Sequence, residues 1–202
     1  MKAPFRLCLV LTRDACVRDP LEVAEAAAAG GVDCIQMREK NMSSRDLFEW
    51  GETLLPVCRK LGVPLVVNDL VEVAVALGAD GIHVGQDDMH PEDVRTLVGP
   101  GMWVGLSTHD LEQADEAAEF GVDYAGFGPV FATPTKNVDA GLGPDFLAAA
   151  VAVARVPLVA IGGILPENAW MARDQASLAV SSGICAAEDP EAATAAILGN
   201  PA

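Results

Sequence analysis

Eight times along the chain a short apolar run rich in β-formers gives way to an Ala/Leu/Glu-rich stretch with helical spacing, and this alternation limits the available folds more than any other feature. The strand candidates are residues 5–12, 33–38, 64–68, 81–84, 103–106, 124–128, 158–161 and 178–180. Helical patterns occupy 21–29, 44–60, 71–77, 91–97, 111–120, 144–153 and 166–173, and a last one near 190–198 ends the series. Pro91, Pro144 and Pro166 sit at helix starts, where a missing N–H costs nothing, and Ser43, Ser44 and Asp189 are suited to capping. Gly30, Gly31, Gly62, Gly78 and Gly121 follow helical stretches, where a left-handed residue is wanted. A local phrase also recurs between helix and strand: Gly31-Val32-Asp33, Gly62-Val63-Pro64, Gly78-Ala79-Asp80 and Gly121-Val122-Asp123.

Continuous βα alternation without a Pro/Ser-rich linker or a charge block implies one parallel-sheet domain spanning 1–202. Eight units favour closure into a (β/α)8 TIM barrel, an α/β fold with outer helices, at roughly 25 residues per unit. An open doubly wound sheet is the alternative. Its dinucleotide-binding form is disfavoured, because no G-x-G-x-x-G follows the first strand.

Charge narrows the partners. Lys and Arg number 13 against 29 Asp and Glu, a formal net charge of −16. Nucleic acid and anionic membrane surfaces both require a basic footprint and are excluded as expected partners. An anionic substrate would have to be held by a few local cations, backbone N–H groups or a metal. The apolar run at 7–11 is interrupted at once by Thr12, Arg13 and Asp14, too soon for a signal peptide or a membrane span. Cys8, Cys16, Cys34, Cys58 and Cys185 show no metal-ligand spacing and fit thiols in a reducing cytoplasm.

In such a barrel the active site lies at the C-terminal ends of the strands. The second strand ends Gln36-Met37-Arg38-Glu39-Lys40, and alternation sends Gln36, Arg38 and Lys40 to one side. Two cations and an amide there suit a phosphate or diphosphate; the same residues also suit a solvated turn compensated by Glu39. Asn68-Asp69 ends the third strand and Gly85-Gln86-Asp87-Asp88 the fourth. Carboxylates from neighbouring strand ends, opposite a basic cluster, offer a seat for Mg²⁺, which would also bring an anionic diphosphate to an acidic protein. Helix capping is the other reading of Asp87 and Asp88. Ser107-Thr108-His109 ends the fifth strand; His83 suits packing within the fourth, and His90 an exposed position before a helix. The loop after the sixth strand, 131–143, is the longest and carries Thr133, Thr135 and Lys136. Gly162-Gly163 and Ser181-Ser182-Gly183 follow strands seven and eight, where phosphate recurrently binds in this fold.

Together these segments resemble the thiamine phosphate synthase family. The resemblance is carried by 36–40, Asn68-Asp69, 79–88, Gly105-Leu106-Ser107, Thr133-Pro134-Thr135-Lys136 and Ile161-Gly162-Gly163-Ile164, in the family's order and over nearly the whole chain. It implies a Mg²⁺-dependent transferase that joins 4-amino-2-methyl-5-hydroxymethylpyrimidine diphosphate to hydroxyethylthiazole phosphate, giving thiamine phosphate and pyrophosphate. By that resemblance Gln36, Arg38, Lys40 and Asn68 bind the pyrimidine diphosphate, and Asp69 and Asp88 coordinate Mg²⁺. Lys136 contacts the leaving pyrophosphate with Ser107 nearby, while Thr133, Thr135, Gly163 and Ser182, with Ser181 beside it, receive the thiazole phosphate. Arg38, Lys40, Ser107 and Lys136 form the catalytic set, and a homo-oligomer is a further expectation. The family's Gly-Ala-x-Gly phrase before the last strand is replaced here by Asp174-Gln175-Ala176-Ser177, which implies altered turn geometry without loss of activity.

Two other readings stay open. A thiazole tautomerase paralogue would use His109 for proton transfer and need no Mg²⁺, but it has no diphosphate to hold with Arg38, Lys40, Asp69, Asp88 and Lys136. A non-catalytic thiamine phosphate-binding barrel would keep the phosphate loops alone.

Overall fold

A computed structural model describes residues 3–133 and 141–200. Eight parallel strands close into a barrel in sequence order: β1 (Leu7–Leu11), β2 (Cys34–Met37), β3 (Leu65–Asn68), β4 (Gly81–Val84), β5 (Trp103–Thr108), β6 (Tyr124–Phe127), β7 (Leu158–Ile161) and β8 (Ser177–Val180). The expected closed barrel is therefore found, and the open sheet is not.

The outer helices are α1 (Pro20–Ala29), α2 (Ser44–Leu61), α3 (Val71–Leu77), α4 (Pro91–Val98), α5 (Leu111–Glu116), α6 (Pro144–Val153), α7 (Ser182–Cys185) and α8 (Pro190–Leu198). Asp19, Ser43, Asp110 and Asp189 cap helix starts through their side chains, satisfying N–H groups that have no intrahelical partner. Gly62 and Gly78 end α2 and α3 in the left-handed conformation, as the sequence pattern requires. One expected helix is absent. Residues 166–173 form turns around a short 3₁₀ segment, Ala169–Met171. Asn168 ties the start of this stretch to the loop after β7: its Oδ1 accepts from the Leu165 N–H at 2.8 Å and its Nδ2 donates to the Gly163 carbonyl at 2.8 Å.

Strand alternation sorts the side chains into two cores. Leu7, Leu9, Leu11, Ile35, Met37, Leu65, Val67 and Ile82 face the helices. Phe5, Cys8, Val10, Cys34, Val66, Tyr124, Val159 and Ala179 fill the barrel itself. The same alternation carries Gln36, Arg38, Asn68, His83 and Ser107 inward at or near the C-terminal mouth.

The Gly-x-Asp phrase has a structural role at the opposite end. Asp33, Asp80 and Asp123 each immediately precede an even-numbered strand. Each donates its own N–H to one residue at the base of the preceding strand and accepts that residue's N–H on its carboxylate. Asp33 pairs in this way with Leu7, Asp80 with Leu65 and Asp123 with Val104. At the fourth such position stands Ala176, so β7 and β8 have no clasp of this kind; instead Ser177 Oγ donates to the Phe5 carbonyl at 2.7 Å. The register of β8 on β1, Leu7 opposite Leu178 and Leu9 opposite Val180, places Ser181 and Ser182 at the mouth. Among the described residues no helix is long and apolar enough to cross a membrane.

Candidate active site

The mouth is organised around two groups of polar residues that share Arg38. Gln36 is the last buried inward residue of β2, 6% exposed. Arg38 lies two residues on and is half-buried; burial lowers its pKa, against the opposing pull of Asp69 and Glu39. Lys40 is exposed. Glu39 does not merely compensate its neighbours in a solvated turn. Its side chain is 7% exposed, pairs with Arg13 and accepts the Arg13 N–H at 2.8 Å, so it ties the loop after β2 to the loop after β1. Thr12 adds a second tie by donating to the Arg38 carbonyl at 3.0 Å.

The first group gathers around Asp69. This residue follows β3 with φ +65°, a left-handed conformation rare outside glycine, asparagine and aspartate. Its carboxyl is pushed up to about 6 from 3.8, first by burial and then by a hydrogen bond and like-charge repulsion from Asp88, with Lys40 and Arg38 opposing. The structure therefore brings together the two expected metal ligands and both cations of the second strand end. Asp88 is held in turn by the Gly85 N–H, 2.6 Å from its Oδ2. Among the described residues no group of three or more His, Cys, Asp or Glu side chains is arranged to hold an ion.

The second group lines a cavity formed by Arg38, Pro129, Thr133, Gly162, Gly163, Ser181 and Ser182. Gly162 and Gly163 have φ +97° and +65°. A Cβ on Gly163 would strike the Ala132 carbonyl, and one on Gly162 would lie 2.5 Å from the Pro129 Cβ, so the loops after β6 and β7 pack backbone to backbone. The Val130 N–H bonds the Ile161 carbonyl at 2.9 Å and the Phe131 N–H bonds Gly162 at 3.0 Å, fixing the wall that carries Thr133. Thr135 and Lys136 lie outside the described residues, as does most of the 131–143 loop.

Ser107, near the end of β5, links the loop after β4 to the barrel interior. Its carbonyl accepts from Gln86 Nε2 at 2.6 Å, and its Oγ lies 2.9 Å from His83 Nε2. His109 is tied back to the scaffold, its Nδ1 2.7 Å from the Gly128 carbonyl.

The family model described as thiamine monophosphate synthase matches residues 7–184, most of the chain. The chain belongs to the thiamine monophosphate synthase family. A thiamine-phosphate synthase of Solidesulfovibrio magneticus is 49% identical over 96% of this chain and 94% of its own length. One from Chlorobium luteolum is 40% identical over 95% and 91%. A solved thiamine phosphate pyrophosphorylase from Pyrococcus furiosus superposes with a TM-score of 0.86 at 34% identity, covering 96% of this chain and 93% of that one. The expected family and the expected barrel are both borne out.

Three residues at or beneath the mouth are not marked by the sequence pattern: His83 suits packing within its strand, and Tyr124 and Arg13 carry no signal of a site role. His83 is 8% exposed and bonded on both ring nitrogens, so it belongs to a polar network under the mouth. Its position between the inward glycines of β5 and β6 was the available signal.

Proposed function

We propose that this thiamine monophosphate synthase family member joins 4-amino-2-methyl-5-hydroxymethylpyrimidine diphosphate to hydroxyethylthiazole phosphate, releasing pyrophosphate. The observation that carries this reading is the pair of neighbouring anion-suited groups that share Arg38. One contains Lys40 and two touching carboxylates; the other is a glycine-walled cavity with Thr133, Ser181 and Ser182. Two phosphorylated substrates require two such places, side by side.

In the reaction the C–O bond of the pyrimidine methylene breaks and its electron pair leaves with pyrophosphate. The thiazole nitrogen then supplies the pair for the new C–N bond. A dissociative step of this kind needs charge neutralisation at the leaving group and correct placement of two partners, with no protein nucleophile. Arg38, Lys40 and Lys136 neutralise the leaving group, with Ser107 beside it. Gln36 and Asn68 orient the pyrimidine. Thr133, Thr135, Gly163, Ser181 and Ser182 hold the thiazole phosphate.

The donor set at Asp69 and Asp88 fits Mg²⁺: two oxygen ligands close enough to repel one another, beside a place for phosphate oxygens. Bound there with water and diphosphate oxygens, the ion would supply neutralisation that a chain of net charge −16 otherwise lacks. The five free thiols support a reducing, cytoplasmic setting, and the alternation without linkers supports a single domain.

The test is pyrophosphate release by the purified protein given both substrates, with and without Mg²⁺, beside Asp88→Ala. Release that needs both substrates and Mg²⁺ and collapses in the variant is the expected result. Thiazole phosphate binding with no release would overturn the reading in favour of the tautomerase, with His109→Ala as the next variant.

A further inference from the structure

Beneath the mouth, β4, β5 and β6 place His83, Gly105 and Tyr124 opposite one another in register, His83 with Gly105 and Gly105 with Tyr124. The middle position has no side chain, and that absence lets the outer two rings meet across β5. They stack with centroids 5.5 Å apart and planes inclined at 29°. A Cβ on Gly105 would sit 2.5 Å from both His83 Nδ1 and the Tyr124 hydroxyl, and one on Gly126 would crowd the other edge of the imidazole at 3.2 Å. Two inward glycines thus leave room for one ring pair.

The pair is hydrogen-bonded end to end. Burial raises the Tyr124 phenol well above its ordinary value, with the Gln36 side chain opposing that rise, so the hydroxyl keeps its proton and can donate it. The hydroxyl lies 3.2 Å from His83 Nδ1, and His83 Nε2 lies 2.9 Å from Ser107 Oγ. A phenol has one proton to give, and a neutral imidazole donates from one nitrogen and accepts on the other. The phenol is the stronger donor and the imidazole nitrogen the stronger acceptor, so Tyr124 gives its proton to Nδ1. The ring hydrogen then resides on Nε2 and is donated to Ser107 Oγ, which leaves the serine proton to point into the site. Every donor in this chain points the same way, and such chains strengthen one another in a low-dielectric interior.

We propose that Tyr124 and His83 are positioning residues that fix Ser107 as a hydrogen-bond donor to an acceptor atom of the bound pyrimidine diphosphate. The inference deepens the proposed function and rests on it for the identity of that substrate. A ring nitrogen and a diphosphate oxygen share the acceptor chemistry. If the ring pair served only to fill the barrel, it would affect stability and leave the direction of the serine proton unset.

The first experiment needs no substrate. ¹⁵N NMR of histidine-labelled protein at neutral pH, with the three histidines assigned using His90→Gln and His109→Gln, reads the His83 tautomer. We expect the Nε2–H form in the native chain and a mixture in Tyr124→Phe. An Nδ1–H or doubly protonated His83 in the native protein overturns the proposal, as does an unchanged tautomer in the variant.

The second experiment is a double-mutant cycle on turnover. Tyr124→Phe should lower kcat/KM for the pyrimidine diphosphate about tenfold, the loss of one neutral hydrogen bond. KM for the thiazole phosphate should not change. In a Ser107→Ala background the same change should cost less than twofold, because its effect passes through the serine. Equal penalties in both backgrounds would overturn the relay. Inhibition by pyrophosphate and by the pyrimidine alcohol identifies the acceptor: Tyr124→Phe weakens the inhibitor that carries it, and an effect on neither counts against the proposal. A native protein that shows the Nε2–H tautomer but releases no pyrophosphate refutes the proposed function and leaves the hydrogen-bond direction standing.

Discussion

Replacing Asp69 with asparagine should make the metal-free protein more stable while removing its response to Mg²⁺. Asn is the informative choice because it tolerates the φ of +65° that Asp69 adopts, so the backbone need not move. The folded chain raises the Asp69 carboxyl from 3.8 to about 6, mainly by burial and then through Asp88. Between those two values the folded state binds more protons than the unfolded one, so stability falls as pH rises through that window and stays lower above it. At 1.36 kcal/mol per pKa unit, the interval sets a ceiling of about 3 kcal/mol. The group is only half-buried, and solvent screening reduces the expected gain for the neutral amide to about 1 kcal/mol near pH 7.5. Urea denaturation of both proteins without metal should show that gain, shrinking as the pH is brought toward 4. Adding Mg²⁺ with pyrophosphate should then stabilise the native chain by mass action and leave Asp69→Asn unchanged. A variant no more stable than the native chain at pH 7.5, or a gain independent of pH, would refute the electrostatic reasoning.

Three further outcomes are expected. Gly163→Ala would force a Cβ into the Ala132 carbonyl at a positive φ and should raise KM for the thiazole phosphate at least about tenfold, with a smaller effect on the pyrimidine diphosphate, as steady-state kinetics would show. Gly105→Ala overpacks the His83–Tyr124 pair and should cost about 1–3 kcal/mol of stability in denaturant titrations. Asp123→Ala removes the carboxylate half of the clasp on Val104 and the 2.6 Å pair with Arg95, and should destabilise by about 1–3 kcal/mol, with Asp123→Asn recovering part of that.

The barrel was legible because its signal is repetitive. Eight apolar runs at even spacing leave little choice of topology, and the observed strands fall within a few residues of the expected ones. Residues 166–173 read as helix but form turns around a 3₁₀ segment, with Asn168 bonded back to Gly163 and Leu165 in a way that no local periodicity signals. At the site, residues that end strands were readable from position alone, and Arg38, Asp69, Asp88, Thr133 and Ser182 do converge at the mouth. Partnerships across the barrel were not readable. Nothing local links Glu39 to Arg13 or His83 to Tyr124; each pair depends on register between separate strands and loops. The meaning of the Gly-x-Asp phrase was hidden for the same reason, because its partner lies in the preceding strand.

The clasps at the barrel's base also bear on how the ring is put together. Asp33, Asp80 and Asp123 bind strands into three local couples, each closed by residues fewer than about 30 positions apart, and short loops of this kind close quickly and at low entropic cost. The fourth couple lacks its fastener, and Ser177 reaches 172 residues back to the Phe5 carbonyl. Beside that seam opens a cleft of about 490 Å³, bordered by Pro157, Arg173, Gln175 and Ser177. Three hinged leaves should therefore form early and the β8–β1 closure last, so amide protection should be lost first along the β7–β8 seam and last within the clasped couples.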